Sequence, residues 1–397
     1  MPTQDNLQTT CMAQTFDVIV IGLGGIGSAA AYHLAARGKR VLGLERFTPA
    51  HDRGSSHGSS RIIRQAYHEN PGYVPLVLRA YDLWKQLERD TQTQLLTATG
   101  GLFLGTENSD VVRGSLLSAS QHNLAHEVLD AKEIQRRFPV LRPRADHCAV
   151  FEKAAGFLRP EAAVAAHLGL AAQHGATLHF EEPTVDWTTT AGGTVRVVSA
   201  KATYEADHLV IASGAWANDL LKLSLPLHVR RHVMAWFDPL ETIQNFSPSC
   251  FPVYIWRTGD KTVFYGFPAT DCENCGVKAA MHSGGDVCTA ESLDREIHDR
   301  DITEIREQLA TFIPSLNGKL LHAATCMYTM TPDEHFIVSQ HPDYTQVTIA
   351  CGFSGHGFKF STVLGETLAD LVLEGHTKYP IDFLSAQRFK RNCDDKG

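Results

Sequence analysis

Apolar positions along this chain follow two different periods. Residues 16–22, FDVIVIG, form a short β-branched run that predicts a strand buried on both faces of a parallel sheet. An alanine-rich stretch then predicts a helix to about Arg37, stopped by Gly38, and KRVLGLE predicts a second strand closed by Glu45. Leu76, Ala80, Leu83 and Leu87 recur at helical spacing, so Tyr73 to Arg89 reads as an amphipathic helix whose stripe is core. Residues 161–174 predict another helix, ended by Gly175, with the short strand ATLHF after it. TVRVVSA and HLVIASGAW read as further strands. Residues 230–270 carry aromatic and β-branched runs, VMAWF and TVFYGF among them, which suggest an antiparallel sheet in a different layer. Residues 361–374 predict a last helix, ended by Gly375. Strand and helix types interleave, so the first sheet's domain is expected to be discontinuous in sequence.

Composition narrows the class. A chain of 397 residues favours two domains over one. The formal charge is -8 and no basic block stands out, which argues against a nucleic-acid partner. The opening segment, MPTQDNLQTTCMAQ, has neither a basic start nor an apolar run, so it does not read as a secretory signal. No apolar stretch reaches the ~20 residues that span a bilayer. Nine scattered cysteines suit reduced thiols in the cytoplasm better than a disulfide framework. Cys272 and Cys275 form a lone CENC; a zinc site wants four ligands, and no second pair is suitably spaced, so no metal is expected.

The chemistry begins at Gly22, Gly24 and Gly27, a G-x-G-x-x-G between strand and helix. With the second strand and its closing acid, the unit has the roughly 30-residue context of a dinucleotide fingerprint. Its glycines let backbone approach a pyrophosphate at the helix N-terminus, and Glu45 would accept hydrogen bonds from the adenosine ribose. The loop alone does not separate NAD from FAD. GSSHGSSRIIR, residues 54–64, puts a polar basic loop where an NAD half-domain would continue with strand and helix, and this suits a pocket over a flavin. Arg64 can pair bidentately with a carboxylate and Lys359 can add a second positive charge. Both could equally be surface charges, the usual fate of such residues, although Lys359 sits in the unusual Gly-rich GFSGHGFKF. His282 and His356, taken alone, are weak signals, since most histidines are structural or solvated. Cys326 could be a small buried hydrophobe; to bond to carbon it must be a thiolate, and nothing local to it in sequence is strongly basic.

With those stretches in view, the chain resembles the monomeric sarcosine oxidase family, which includes N-methyltryptophan oxidase. The resemblance is carried by the Gly loop, GSSHGSSRIIRQAY, YVPLVLRAYDLW, YGFP, GVKAAMH, CMYTMTPDEHFIV and GFSGHGFKFS, in the family's order from about residue 16 to about residue 375. It implies an α/β fold: a Rossmann-like FAD-binding domain (14–95, 155–228 and 325–390) plus an antiparallel-sheet substrate domain (96–154 and 229–324). Cys326 looks like the cysteine that bonds covalently to the flavin. Arg64 and Lys359 look like the clamp on a substrate carboxylate, and Lys278 like the lysine beside the flavin that promotes reaction with oxygen. Arg61, Tyr265, His282, Tyr328 and His356 match residues lining the flavin and substrate. Cofactor contacts are expected from Gly22, Gly24, Gly25, Ile26, Gly27, Glu45, Arg46, Ser60, Arg61, Gly355 and Lys359. The family commonly has two histidines where Ser56 and His57 stand, and Asp-Thr where Ser59 and Ser60 stand. The implied reaction is oxidation of N-methyl amino acids by oxygen, giving peroxide, an aldehyde and the primary amino acid, in a monomer free of membrane or nucleic acid. VMAWF and IWRTGDKT are expected to border the pocket, where Trp256 would narrow it or stack on an indole. An oxidase of cyclic or glycated amino acids, and a flavin dehydrogenase serving a partner protein, stay open as alternatives.

Overall fold

The computed structural model describes residues 14–270 and 276–392. The expectations for the opening segment, up to residue 13, and for the Cys272–Cys275 pair lie outside the described residues.

The first apolar run is strand Gln14–Ile21, at the centre of an eight-stranded sheet. It pairs in parallel with Thr203–Ile211 on one side and Val41–Leu44 on the other. Thr177–His179 extends the sheet beyond Val41–Leu44, and Val347–Cys351 lies parallel to Thr203–Ile211. The run is apolar throughout because both faces are covered. Val18 and Val20 face helices Gly25–Ala36, Val74–Thr91, Pro160–Gln173 and Ser361–Glu374. Ile19 and Ile21, one step along the pleat, face Trp187, Leu209 and Leu221. Helix Gly25–Ala36 is alanine-rich because Ser361–Glu374 crosses it closely: a Cβ on Gly365 would stand 2.6 Å from Ala29.

The second sheet has nine strands and is antiparallel except where Gly101–Thr106 runs parallel to Val253–Arg257. Its longest members, His228–Asp238 and Lys319–Met330, pair along their lengths. The domain boundary expected at residue 325 falls inside this last strand, so Cys326 and Tyr328 are carried by the second sheet. The chain returns to the first sheet at Ile337–Gln340. A small sheet joins Arg61–Ile63 to Gly156–Leu158 and Leu96–Ala98, and so fixes the end of the arginine loop. Helix Asp299–Phe312 covers one face of the second sheet and buries Ile305, Leu309 and Phe312 against Trp256 and Phe264.

Candidate active site

One long cavity follows the C-terminal ends of the parallel strands, runs under residues 54–61, and ends against the second sheet. Its first part fits a dinucleotide. Gly22 has φ +85, and a Cβ there would stand 2.6 Å from the Ala212 carbonyl. Gly24, Gly25 and Ile26 reach the cavity wall, and the Gly25 N–H donates to Ser56 Oγ at 3.0 Å. Gly27 is absent from that wall, and a Cβ on it would meet the Gly22 carbonyl at 1.7 Å. Gly27 serves close strand–helix packing beneath the cradle. Glu45 is buried; its carboxylate accepts from Leu23 N at 2.8 Å and Phe47 N at 3.0 Å, and lies 3.3 Å from His51 Nε2. Arg46 faces the same end, 3.5 Å from Glu291 and 5.4 Å from the Trp216 ring.

The arginine loop closes the middle of the cavity. Glu161, at the start of helix Pro160–Gln173, accepts from the N–H groups of Gly58 and Ser59 at 2.6 and 3.1 Å. Arg61 donates to the carbonyls of Ser60 and Ser55 at 2.9 Å each, and its Nη2 lies 3.6 Å from Cys326 Sγ. The sequence showed no basic neighbour for Cys326; the fold supplies one from 265 residues away. His57 is buried there, and desolvation first and Arg61 second pull its imidazole down to about 3. Two expected contacts fall behind the wall. Ser60 is buried with an unpartnered hydroxyl. Lys278 donates to the carbonyls of Gly58 and Ser60 at 2.8 and 2.7 Å, over the Phe267 ring. Burial pushes its amine well below the usual lysine range, and Arg61 adds to that. Strand geometry explains the placement: Lys278 pairs with Trp236 across the sheet, and its long stem carries the amine up to the loop backbone.

At the far end Arg64 is 1% exposed and already holds a carboxylate: its Nη2 lies 2.7 and 2.5 Å from the two oxygens of Glu69. Arg64 Nη1 donates to the Ala66 carbonyl at 2.9 Å, and the guanidinium lies 4.1 Å from the Tyr67 ring centroid. Lys359 Nζ sits 5.1 Å from the same ring and donates to the His356 carbonyl at 2.6 Å. Desolvation, then Arg64, brings Lys359 down to about 7. His356 Nε2 faces the Glu334 carbonyl at 3.0 Å, so it carries the proton and Nδ1 accepts from Tyr67 Oη at 2.5 Å. Desolvation holds His356 at about 3 and His282 at about 4, so both are neutral near pH 7. The hydroxyls of Tyr265 and Tyr328 lie 3.2 Å apart, and desolvation raises both phenols, which keeps them protonated donors. Gly355, at φ +79, lets the Tyr328 ring approach: a Cβ would stand 2.4 Å from it.

The structure therefore brings Arg61, Arg64, Tyr265, His282, Cys326, Tyr328, Gly355, His356 and Lys359 to one cavity and leaves Lys278, Ser60 and Gly27 outside its wall. Trp256 is also corrected. It is fully buried on the opposite face of its strand, donating to His147 Nδ1 at 3.1 Å and packing on Phe312; Ile255 reaches the cavity instead. Met234 and Trp236 of VMAWF are likewise buried away from the wall. Two residues of the wall had no sequence signal, His68 and Glu69 in the turn after Arg64; behind the wall, the His232 ring stacks 4.0 Å from Tyr328. Ser56 was visible only as a departure from the histidine the family carries.

A Rossmann-like cradle joined to a pocket that holds Arg64 and Lys359 fits a dinucleotide-dependent enzyme. The comparisons agree: the chain belongs to the DAO family of FAD dependent oxidoreductases, whose profile matches residues 17–371. It is 52% identical over 379 residues to the monomeric sarcosine oxidase of Streptomyces avermitilis, covering 95% of this chain and 98% of that one. It is 35% identical over 377 residues to an N-methyl-L-tryptophan oxidase of Yersinia pestis, covering 94% and 100%. Among solved structures it is similar to NikD, an unusual amino acid oxidase, with TM-score 0.82, 25% identity and coverage of 94% and 97%.

Proposed function

We propose that this protein is an FAD-dependent oxidase of N-methyl amino acids, turning the N-methyl group into an aldehyde and releasing the primary amino acid and hydrogen peroxide. The observation that carries the reading is the buried Arg64–Lys359 pair at the end of a dinucleotide cavity, supported by the sarcosine oxidase likeness over nearly the whole chain. When bound, the flavin takes two electrons from the substrate C–N unit and passes them to oxygen. The protein's part is placement and electrostatics. Arg64 and Lys359 hold the substrate carboxylate, which takes the place of Glu69 on the Arg64 fork. Transfer from water lowers the substrate amine's hold on its proton. Tyr265 and Tyr328 offer hydroxyl donors beside the reacting carbon. The product imine then hydrolyses.

Covalent attachment through Cys326 is part of the same reading, supported by the place of its sulfur on the cavity wall, 3.6 Å from the Arg61 guanidinium. Lys278 is proposed to serve the oxygen half-reaction from behind the wall, as a hydrogen-bond donor that holds the Gly58 and Ser60 carbonyls beside the fixed charge of Arg61. A cytoplasmic monomer is proposed on the name of the Streptomyces relative and the scattered cysteines. No helix among the described residues is long and apolar enough to cross a membrane. The test is peroxide release over a panel of N-methyl, cyclic and glycated amino acids. Peroxide confined to N-methyl substrates supports the reading; turnover of cyclic or glycated substrates alone, or reduction of artificial acceptors without oxygen use, overturns it.

A further inference from the structure

The turn after Arg64 holds a residue that the reaction above does not use. His68 lies on the cavity wall, yet its Nδ1 is buried without a hydrogen-bond partner. Its Nε2 stands 3.6 Å from Glu69 Oε1, beyond hydrogen-bond reach. The neighbouring groups are tied: Glu69 to Arg64, His356 to Tyr67 and the Glu334 carbonyl, Lys359 to the His356 carbonyl. No hydrogen bond among the described residues fixes the imidazole, which fills space beside the clamp.

The backbone under it is fixed. Glu152 accepts from Gln65 N and Ala66 N at 2.7 and 2.8 Å, and Ser118 Oγ donates to the Tyr67 carbonyl at 2.6 Å. Gly114 packs on His68 itself, since a Cβ there would stand 2.2 Å from the His68 carbonyl. With the backbone pinned this way, trimming the side chain leaves room and the wall does not collapse into it. An amino acid whose carboxylate sits on Arg64 and Lys359 has its α-carbon one bond further in. Any α-substituent must therefore fit within a few ångströms of the clamp, where His68 stands.

We propose that His68 sets the size limit on the substrate's α-substituent, so that the preferred substrates are N-methyl amino acids with a small one, hydrogen or methyl, and not an indole. The proposal rests on the carboxylate-clamp reading above. The test compares wild type, His68→Ala and His68→Phe, each as holoenzyme. The first readout is kcat/KM for sarcosine, N-methyl-L-alanine and N-methyl-L-tryptophan. The second is flavin absorbance on titration with methoxyacetate and 2-methoxy-3-phenylpropanoate, which bind without being oxidised. Wild type should favour sarcosine over N-methyl-L-tryptophan by about a hundredfold or more, in the range that steric pockets reach. His68→Ala should narrow that ratio at least tenfold, through a gain for the large substrate, and should tighten the phenyl ligand relative to methoxyacetate. His68→Phe keeps the bulk without the polar nitrogens and should keep the wild-type ratio. An unchanged ratio in His68→Ala, or equal losses for small and large ligands, overturns the proposal. If no N-methyl amino acid is oxidised, the proposed function fails while the two ligands still report on His68.

Discussion

Substitution of Glu69 by Gln separates a carboxylate clamp from a structural ion pair. Both Glu69 oxygens meet one Arg64 nitrogen, Nη2, at 2.7 and 2.5 Å, with the two side chains 14% and 1% exposed. Arg64, with first-rank effect among nearby charges against the cost of desolvation, holds the Glu69 carboxyl well below its ordinary 4.5, so it remains an anion throughout the neutral range. An incoming substrate carboxylate must displace it. Hydrogen bonds to charged groups are worth roughly 1.5–3 kcal/mol net, and Gln keeps one acceptor while losing the charge and the second. Glu69→Gln should therefore weaken the internal competitor by about 1.5–3 kcal/mol, which is roughly a 10- to 150-fold gain in affinity for an external carboxylate. The assay is flavin absorbance on titration of the holoenzyme with methoxyacetate, alongside urea unfolding. Affinity should rise and fold stability should fall by a similar amount. Stability loss with an unchanged methoxyacetate Kd would refute the reasoning, because Arg64 would then be a structural partner of Glu69 and nothing more. Glu69's folded value is depressed, so the pair's stabilisation is present above 4.5 and is lost as pH falls through the folded value; Glu69→Gln should lack that acid limb.

Three further outcomes are expected. Cys326→Ala should release its flavin on acid precipitation, whereas wild-type flavin should stay with the protein; equal release from both would remove the covalent link. Gly24→Ala should fold normally, since its Cβ would meet nothing nearer than Ser56 Oγ at 3.6 Å, yet bind FAD more weakly; Gly27→Ala, whose Cβ would stand 1.7 Å from the Gly22 carbonyl, should lose soluble yield and melting temperature. Lys359, brought down to about 7 by desolvation and then Arg64, is charged below that pH and neutral above it. Methoxyacetate binding should therefore weaken as pH rises through 7, and Lys359→Arg should flatten that dependence; an identical profile in the variant would place the titration elsewhere.

Elements whose cause is local were readable from the order of residues. A run such as FDVIVIG is apolar at every position only when both faces of a strand are buried, and the structure covers Val18 and Val20 with helices and Ile19 and Ile21 with the Trp187 side. The Gly loop and Glu45 were legible for a similar reason, because their chemistry depends on residue type at short spacing, whereas pairing Arg64 with Lys359 joined distant motifs and came with the family resemblance. Trp256 was misread because strand alternation decides facing, and a single position shifts a side chain to the other side of the sheet. Only the tertiary structure decided what lies next to what across long separations. It set Arg61 beside Cys326, put Lys278 behind the wall with its amine on the Gly58 and Ser60 carbonyls, and closed Arg64 onto Glu69. It also left His68 without a hydrogen-bond partner for Nδ1 in the turn that follows. These relations have no periodic signature, because they come from two sheets and a loop meeting at one cavity, and the charge, burial and reach of each side chain are set there by neighbours far away in the chain.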